Sequence, residues 1–152
     1  MIINEPRMIE GRYVIEKSFL TKEGYLGLCI FISTGNRCGY VGVTEKHALW
    51  EIGYDNLYHI NVHGGLTFSG VHTPDLFPGY YFLGFDCGHF GDGVDEEAAR
   101  KYGFNLEFLM PVEEEAPRSL NYVIKEVQNL SKQLTPVALM KAKVENSIGG
   151  SK

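Results

Sequence analysis

Leu26-Gly27-Leu28-Cys29-Ile30-Phe31-Ile32 is the stretch on which the reading of the fold turns. It is short and nearly all apolar. A strand with one wet face alternates apolar and polar residues, and a strand covered on both faces does not. The run over 25–33 therefore predicts a buried central strand. Just upstream, Thr21-Lys22-Glu23-Gly24 is a short connector ending in glycine, and 11–20 is a second β-prone run. Two such runs joined so closely predict a hairpin.

Working outward, Gly35-Asn36 makes a turn and 39–43 predicts another strand. Residues 45–50 read as a loop or one helical turn. A strand is expected over 57–62, broken by His63-Gly64-Gly65 and resumed over 66–70. The two prolines in 72–79 mark a loop. Tyr80-Tyr81-Phe82-Leu83-Gly84-Phe85 is strongly β-prone and runs into a polar, glycine-rich loop over 86–93. A short helix is expected over 95–101, followed by a surface loop or lid. Within that loop Glu113-Glu114-Glu115 reads as a solvated face.

The clearest helix spans 120–134. Leu120, Val123, Ile124, Val127, Leu130 and Leu134 fall on one face at helical spacing. Ser119 is a good N-cap, Pro117 lies just upstream, and Pro136 is expected to stop the helix. These elements predict one α+β domain over 1–135. It holds a small mixed or antiparallel sheet with a C-terminal amphipathic helix packed on one face. Residues 136–152 are expected to form a flexible tail. No βαβ alternation and no G-x-G-x-x-G fingerprint occurs, which counts against a dinucleotide-binding doubly wound fold.

Composition narrows the function classes. A chain of 152 residues fits one hydrophobic core, and 44% hydrophobic with 22% charged residues is ordinary for a globular domain. The net charge of −5 and the absence of a Lys/Arg run count against duplex nucleic acid as a partner. They leave a local site for a small anion open. No apolar run reaches the roughly 20 residues of a membrane helix. The first ten residues lack the apolar core of a signal peptide. Cys29, Cys38 and Cys87 show no paired spacing, so reduced thiols in a cytoplasm are expected. A homo-oligomer is expected because edge strands of a small sheet need covering.

Two segments carry candidate chemistry. In His63-Gly64-Gly65-Leu66-Thr67 the glycines let backbone N–H groups approach an oxyanion, and Thr67 adds a hydroxyl. In Asp86-Cys87-Gly88-His89-Phe90-Gly91-Asp92 polar side chains sit at a strand end, a common place for sites. Three chemical readings compete. His63 and His89 form an acid–base pair that cleaves a phosphodiester without metal, oriented by Asp86 or Asp92. Alternatively, His63, His89 and one of those carboxylates hold zinc or another divalent metal, although the spacing matches no standard zinc motif. In the third, Cys87 is a nucleophile activated by His63. A non-catalytic version uses Arg37, His63, Gly64, Gly65 and Thr67 to hold an anionic ligand while Tyr40, Tyr81 or Phe85 stacks on its ring. A third cluster, Arg37-Cys38-Gly39-Tyr40-Val41-Gly42-Val43 followed by His47, adds an arginine at a turn that either binds phosphate or pairs with a carboxylate of the protein itself. The bland reading of all three clusters is structural: tight turns, Asx caps and packing histidines.

Taken in order, the Arg37 to Val43 motif with His47, His63-Gly64-Gly65-Leu66-Thr67-Phe68, Gly84-Phe85-Asp86-Cys87-Gly88-His89 with Asp92, and the closing helix resemble an uncharacterised family of small phage and prophage proteins. The resemblance covers about residues 37–134, and the ordered set is more specific than any one motif. It implies a setting in the cytoplasm of an infected cell. Small phage proteins with a polar pocket include anti-defence factors that bind or cleave nucleotide-derived immune signals, such as cyclic oligonucleotides or cyclic ADP-ribose isomers. The expectation is a protein that inactivates such a signal by hydrolysis at His63, His89, Asp86 and Asp92, without a resident cofactor. Its ligand would be held by Arg37, Tyr40, His47, Gly64, Gly65, Thr67 and Cys87. One alternative is a sponge that sequesters the signal. Another is a host-protein interaction module using the Glu-rich loop or the tail.

Overall fold

The computed structural model describes residues 2–89, 91–108 and 115–141. The strands are β1 (Arg7–Ile9), β2 (Tyr13–Leu20), β3 (Leu26–Ile32), β4 (Arg37–Val43), β5 (Phe68–Gly70) and β6 (Tyr81–Asp86). They form one open sheet in the order β1-β2-β3-β4-β6-β5, antiparallel throughout. The helices include α1 (Glu96–Lys101) and α2 (Leu120–Gln133). The fold is α+β.

The apolar run is the sheet's centre. Cys29 on β3 joins Val41, Leu83 and Phe85 on the face that α2 covers. Leu28 and Ile30 join Cys38, Tyr40 and Phe82 on the opposite face. Both faces are dry, so no polar residue alternates in. The hairpin between β2 and β3 is closed by Thr21 N–H donating to Tyr25 O at 2.8 Å, with Gly24 in the left-handed region at φ +88°.

Helix α2 sits on β3 and β4 through Val123, Val127, Leu130 and its C-cap Leu134, all fully buried. Each such burial stabilises by roughly 1.5–3 kcal/mol. Ser119 Oγ accepts from Tyr122 N at 3.1 Å, the expected N-cap. Gly39 makes the seat: a Cβ there would lie 2.8 Å from Val127 Cγ2 and collide with the Phe85 ring.

One expectation is corrected. Residues 57–62 are not a strand. Leu57, Ile60 and Val62 do bury into the core under α2, but the backbone pairs with helix side chains instead of a neighbouring strand. Asn61 N–H donates to Gln133 Oε1 at 2.8 Å, and Asn61 O accepts from Asn129 Nδ2 at 3.0 Å and Gln133 Nε2 at 2.9 Å. After α2 the chain turns helical again. Residues 136–141 are helical, Thr135 Oγ1 caps Ala138 N at 3.2 Å, and Leu139 packs on the core. Pro136 opens this turn because a first-turn residue needs no N–H. Residues 142–152 lie outside the described ones, as do Glu113 and Glu114. At the sheet's edge, β1 pairs Arg7 with Ile15 and Met8 with Val14.

Candidate functional site

At the N-terminal end of α2, the loop after residue 62 and the loop after β6 close on one buried carboxylate. Asp92 is 2% exposed at its side chain and accepts three hydrogen bonds. Oδ2 accepts from His63 Nε2 at 2.8 Å and from His89 N–H at 3.1 Å. Oδ1 accepts from Arg118 Nε at 3.0 Å. Burial alone pushes this carboxyl up, but the bonds from His63, Arg118 and the His89 backbone outweigh it and hold Asp92 below the usual carboxylate range. It is an anion at neutral pH.

The ionised Asp92 fixes the proton on His63. A carboxylate only accepts, so Nε2 carries hydrogen and donates to it. The other ring nitrogen, Nδ1, lies 2.7 Å from Tyr122 Oη. In the neutral ring Tyr122 donates to Nδ1, and in the cation Nδ1 donates to Tyr122. The chain Asp92–His63–Tyr122 is thus a complete relay with a proton that can sit on either side of its last link. The His63 backbone is pinned as well, its N–H donating to Glu126 Oε1 at 2.9 Å. Burial, then Glu126, push the Tyr122 phenol above its usual value, so Tyr122 is a hydroxyl donor rather than a phenolate. Arg118 stacks on Tyr122, 5.1 Å from its ring centre, and is 40% exposed. Its Nε holds Asp92 while the rest of the guanidinium fork remains at the surface.

His89 is the second ring. It lies 6.3 Å from the His63 ring between centroids and is 37% exposed at its side chain. Gly64, at φ +67°, lets it sit there, because any Cβ would collide with the His89 imidazole. This is the physical reason for glycine directly after His63. His89 Nδ1 is 3.3 Å from Asp86 Oδ1 and 4.0 Å from Asp92 Oδ2. The nearer approach is out of line, so Nδ1 is buried without a hydrogen-bond partner. Asp86 is held in place by Gly88 N–H on Oδ1 at 3.0 Å and by Thr67 Oγ1 on Oδ2 at 3.0 Å.

His63, His89, Asp86, Asp92, Gly64 and Thr67 therefore come together. Other expected ligand residues stand elsewhere. Arg37 is buried with its guanidinium on Glu16 at 2.7 Å and Asp95 at 2.8 Å. Glu16 sits where the β2–β3 register shifts between Ile15 and Lys17, an irregularity that accounts for its inward turn. Tyr40 is buried on the sheet face opposite α2. His47 lies at the far end of α2, donating from Nε2 to Leu134 O at 2.8 Å and accepting Leu49 N–H on Nδ1 at 3.0 Å. Gly65 N–H closes a turn onto Val62 O at 2.9 Å rather than facing a ligand. Cys87 is near but buried, and burial, then Asp92, push its thiol up to about 12. That is the wrong direction for a nucleophile.

One ring nitrogen each of His63 and His89 and one carboxylate oxygen of Asp92 lie within 4.8 Å of one another, close enough to hold a metal ion. A metal there would have to replace the 2.8 Å hydrogen bond between His63 and Asp92. Arg118, Tyr122 and Glu126 escaped the sequence reading. Tyr122 and Glu126 lie four residues apart on α2, a polar face beside the apolar one, and Arg118 precedes the N-cap Ser119. Compared with known proteins, the chain matches no family model, no curated protein and no solved structure. Among the described residues no helix is long and apolar enough to cross a membrane.

Proposed function

We propose that the protein inactivates a small nucleotide-type signal by hydrolysing a phosphodiester at this cluster. The supporting observation is Asp92, one buried anion joined to His63, the His89 loop and Arg118 at once. A surface arginine beside two histidines suits a phosphate oxyanion, and histidine titrates near neutral pH. In this reading water attacks phosphorus and the bond to the leaving alcohol oxygen breaks. His89 takes the proton from the water. Tyr122 gives its proton to the leaving oxygen and is refilled from His63 Nδ1, with Asp92 holding the imidazolium. His63 thus acts through Tyr122. The phage setting rests on the motif resemblance alone.

A second reading is sequestration without cleavage. The observation that favours it is His63, whose two ring nitrogens both have protein partners. One experiment separates the two. The protein is incubated with cyclic dinucleotides and cyclic ADP-ribose isomers, with and without chelator, and chromatographed before and after heat denaturation. Hydrolysis gives a product that persists after heating. A sponge returns intact ligand. Loss of turnover only in the chelator lane would replace His89 as base with a metal on the three clustered ligands.

A further inference from the structure

Beside the cluster, on the sheet face opposite α2, lies a cavity of about 510 Å³ that shares Asp86, Thr67 and Gly88 with it. Its apolar walls include Tyr40 and Phe68, packed edge to face with ring centres 5.4 Å apart. Its rim is polar, with Thr34, Asn36 and Thr67. Cys38, on its floor, is a neutral thiol, because burial pushes it up to about 11. Among the described residues, Asp86 is the one charged side chain lining it, and no Lys or Arg does. A phosphate has no place here. The lining asks for an uncharged ring system that donates hydrogen bonds to a carboxylate.

Asp86 can serve both sides. Each carboxylate oxygen has two acceptor directions, and the structure fills one on Oδ2 with Thr67 and one on Oδ1 with Gly88 N–H. The remaining directions can accept a vicinal diol, the way an acidic residue accepts ribose hydroxyls in nucleotide sites. The cavity is also in the size range of small-ligand pockets. We infer that this cavity holds the nucleoside half of the ligand, with ribose hydroxyls on Asp86 and the base against Phe68 and Tyr40. The phosphate is thereby directed past Asp86 toward His89, whose Nδ1 is 3.3 Å from the same carboxylate, and on to Arg118. The inference rests on the reading of the cluster as a site for a nucleotide-type ligand. It adds that Asp86 is a specificity residue at the junction rather than an orienting base.

The test uses free ribonucleosides, which contain no phosphodiester. The full chain, labelled with ¹⁵N, is titrated with adenosine, guanosine, cytidine and uridine. At least one is expected to move the amides of Thr34, Asn36, Thr67 and Gly88. Asp86→Asn weakens that binding about tenfold, as does removal of the ribose 2′-hydroxyl. Thr34→Trp, at an exposed turn position, fills the mouth and abolishes it without touching the core. The inference is overturned if no ribonucleoside moves these amides, or if the shifts survive undiminished in both variants. Turnover of a cyclic nucleotide with silent nucleoside titrations would sink the cavity and leave hydrolysis standing. Nucleoside shifts without turnover would do the reverse.

Discussion

The two ends of α2 each hold a histidine, and they differ in what the imidazole touches. His47, at the C-terminal end, has backbone on both nitrogens: Leu134 O on one and Leu49 N–H on the other. Such partners admit one tautomer, and the ring serves as a fixed strut. His63, at the N-terminal end, has side chains on both nitrogens: the Asp92 carboxylate and the Tyr122 hydroxyl. Those partners accept either protonation state. Residue type says little about which histidine works, and the chemistry of its neighbours says most.

The largest break in this comparison is at Asp92. Asp92→Ala takes the acceptor away from His63, the His89 N–H and Arg118 and should cost about 1.5–3 kcal/mol in urea unfolding. Asp92→Asn keeps the shape and removes the charge. It should lower turnover by about 10²–10⁴ with a smaller loss of stability. A variant with full turnover would show that the carboxylate is a strut like the partners of His47.

Next comes the histidine pair itself. His63→Gln is expected to lose about 10²-fold or more in turnover and to remove one limb of the pH–rate profile. His47→Gln should cost about 1–3 kcal/mol of stability, from unpaired buried backbone groups, and leave turnover within about twofold. Equal losses of turnover from both variants would erase the distinction between the two ends of the helix.

A finer cut uses the adjacent glycines. Gly64 and Gly65 both have positive φ, +67° and +81°. Alanine at either is strained, and each should lose about 1 kcal/mol. A Cβ on Gly65 meets nothing within 4 Å, whereas one on Gly64 runs into His89. Turnover should therefore fall in Gly64→Ala and hold in Gly65→Ala. Matched turnover in the two variants would mean that the position of the His89 ring does not matter.

How much of this was legible in sequence follows from where the partners lie. Leu26–Ile32 and the apolar stripe of α2 announce themselves, because burial on two faces or one is written in local composition. The stretch over 57–62 looked like a strand because Leu57, Ile60 and Val62 are apolar. Its backbone partners, Asn129 and Gln133, are about seventy residues away and on a helix, which no local pattern encodes. Asp86, His89 and Asp92 were legible because polar residues in a glycine-rich turn after a strand are unusual. Tyr122 and Glu126 were less so, because polar residues on an amphipathic helix are read as solvent-facing by default, and Arg118 stands ahead of the N-cap Ser119, outside the helical pattern. Arg37 needed Glu16, which a break in the β2–β3 register turns inward, and register shifts leave little trace in composition.

A third histidine gives the smallest effect and the cleanest control. His72 lies on the sheet face opposite α2, with its ring 4.8 Å from Tyr40 and close to Phe68, Phe82 and Tyr13. Its Nδ1 reaches Thr73 Oγ1 at 2.8 Å. Burial lowers its pKa from 6.5 to about 4, the charged form being excluded from the aromatic cluster. Between these values the unfolded chain binds a proton that the fold refuses, so stability rises with pH across the window. Going down, stability begins to fall near pH 6.5, and this contribution is fully lost near pH 4. Asp92 is also shifted down, which for an acid means that the fold favours its charged form. Its stabilisation is present above the unfolded carboxyl value of about 3.9 and is lost only as pH falls below it, through its folded value. The two windows abut without overlapping. Urea midpoints taken from pH 7 to 3 should show a slope above pH 4 that His72→Phe flattens and Asp92→Asn leaves in place, and one below it that His72→Phe leaves in place and Asp92→Asn lessens, the remainder belonging to Asp95, which is lowered likewise. A His72→Phe profile parallel to that of the wild type throughout would mean that His72 takes up its proton in the fold as readily as in the unfolded chain. The aromatic face would then be wetter than its packing implies, and the contrast between the polar end of α2 and the rest of the molecule would be weaker by one histidine.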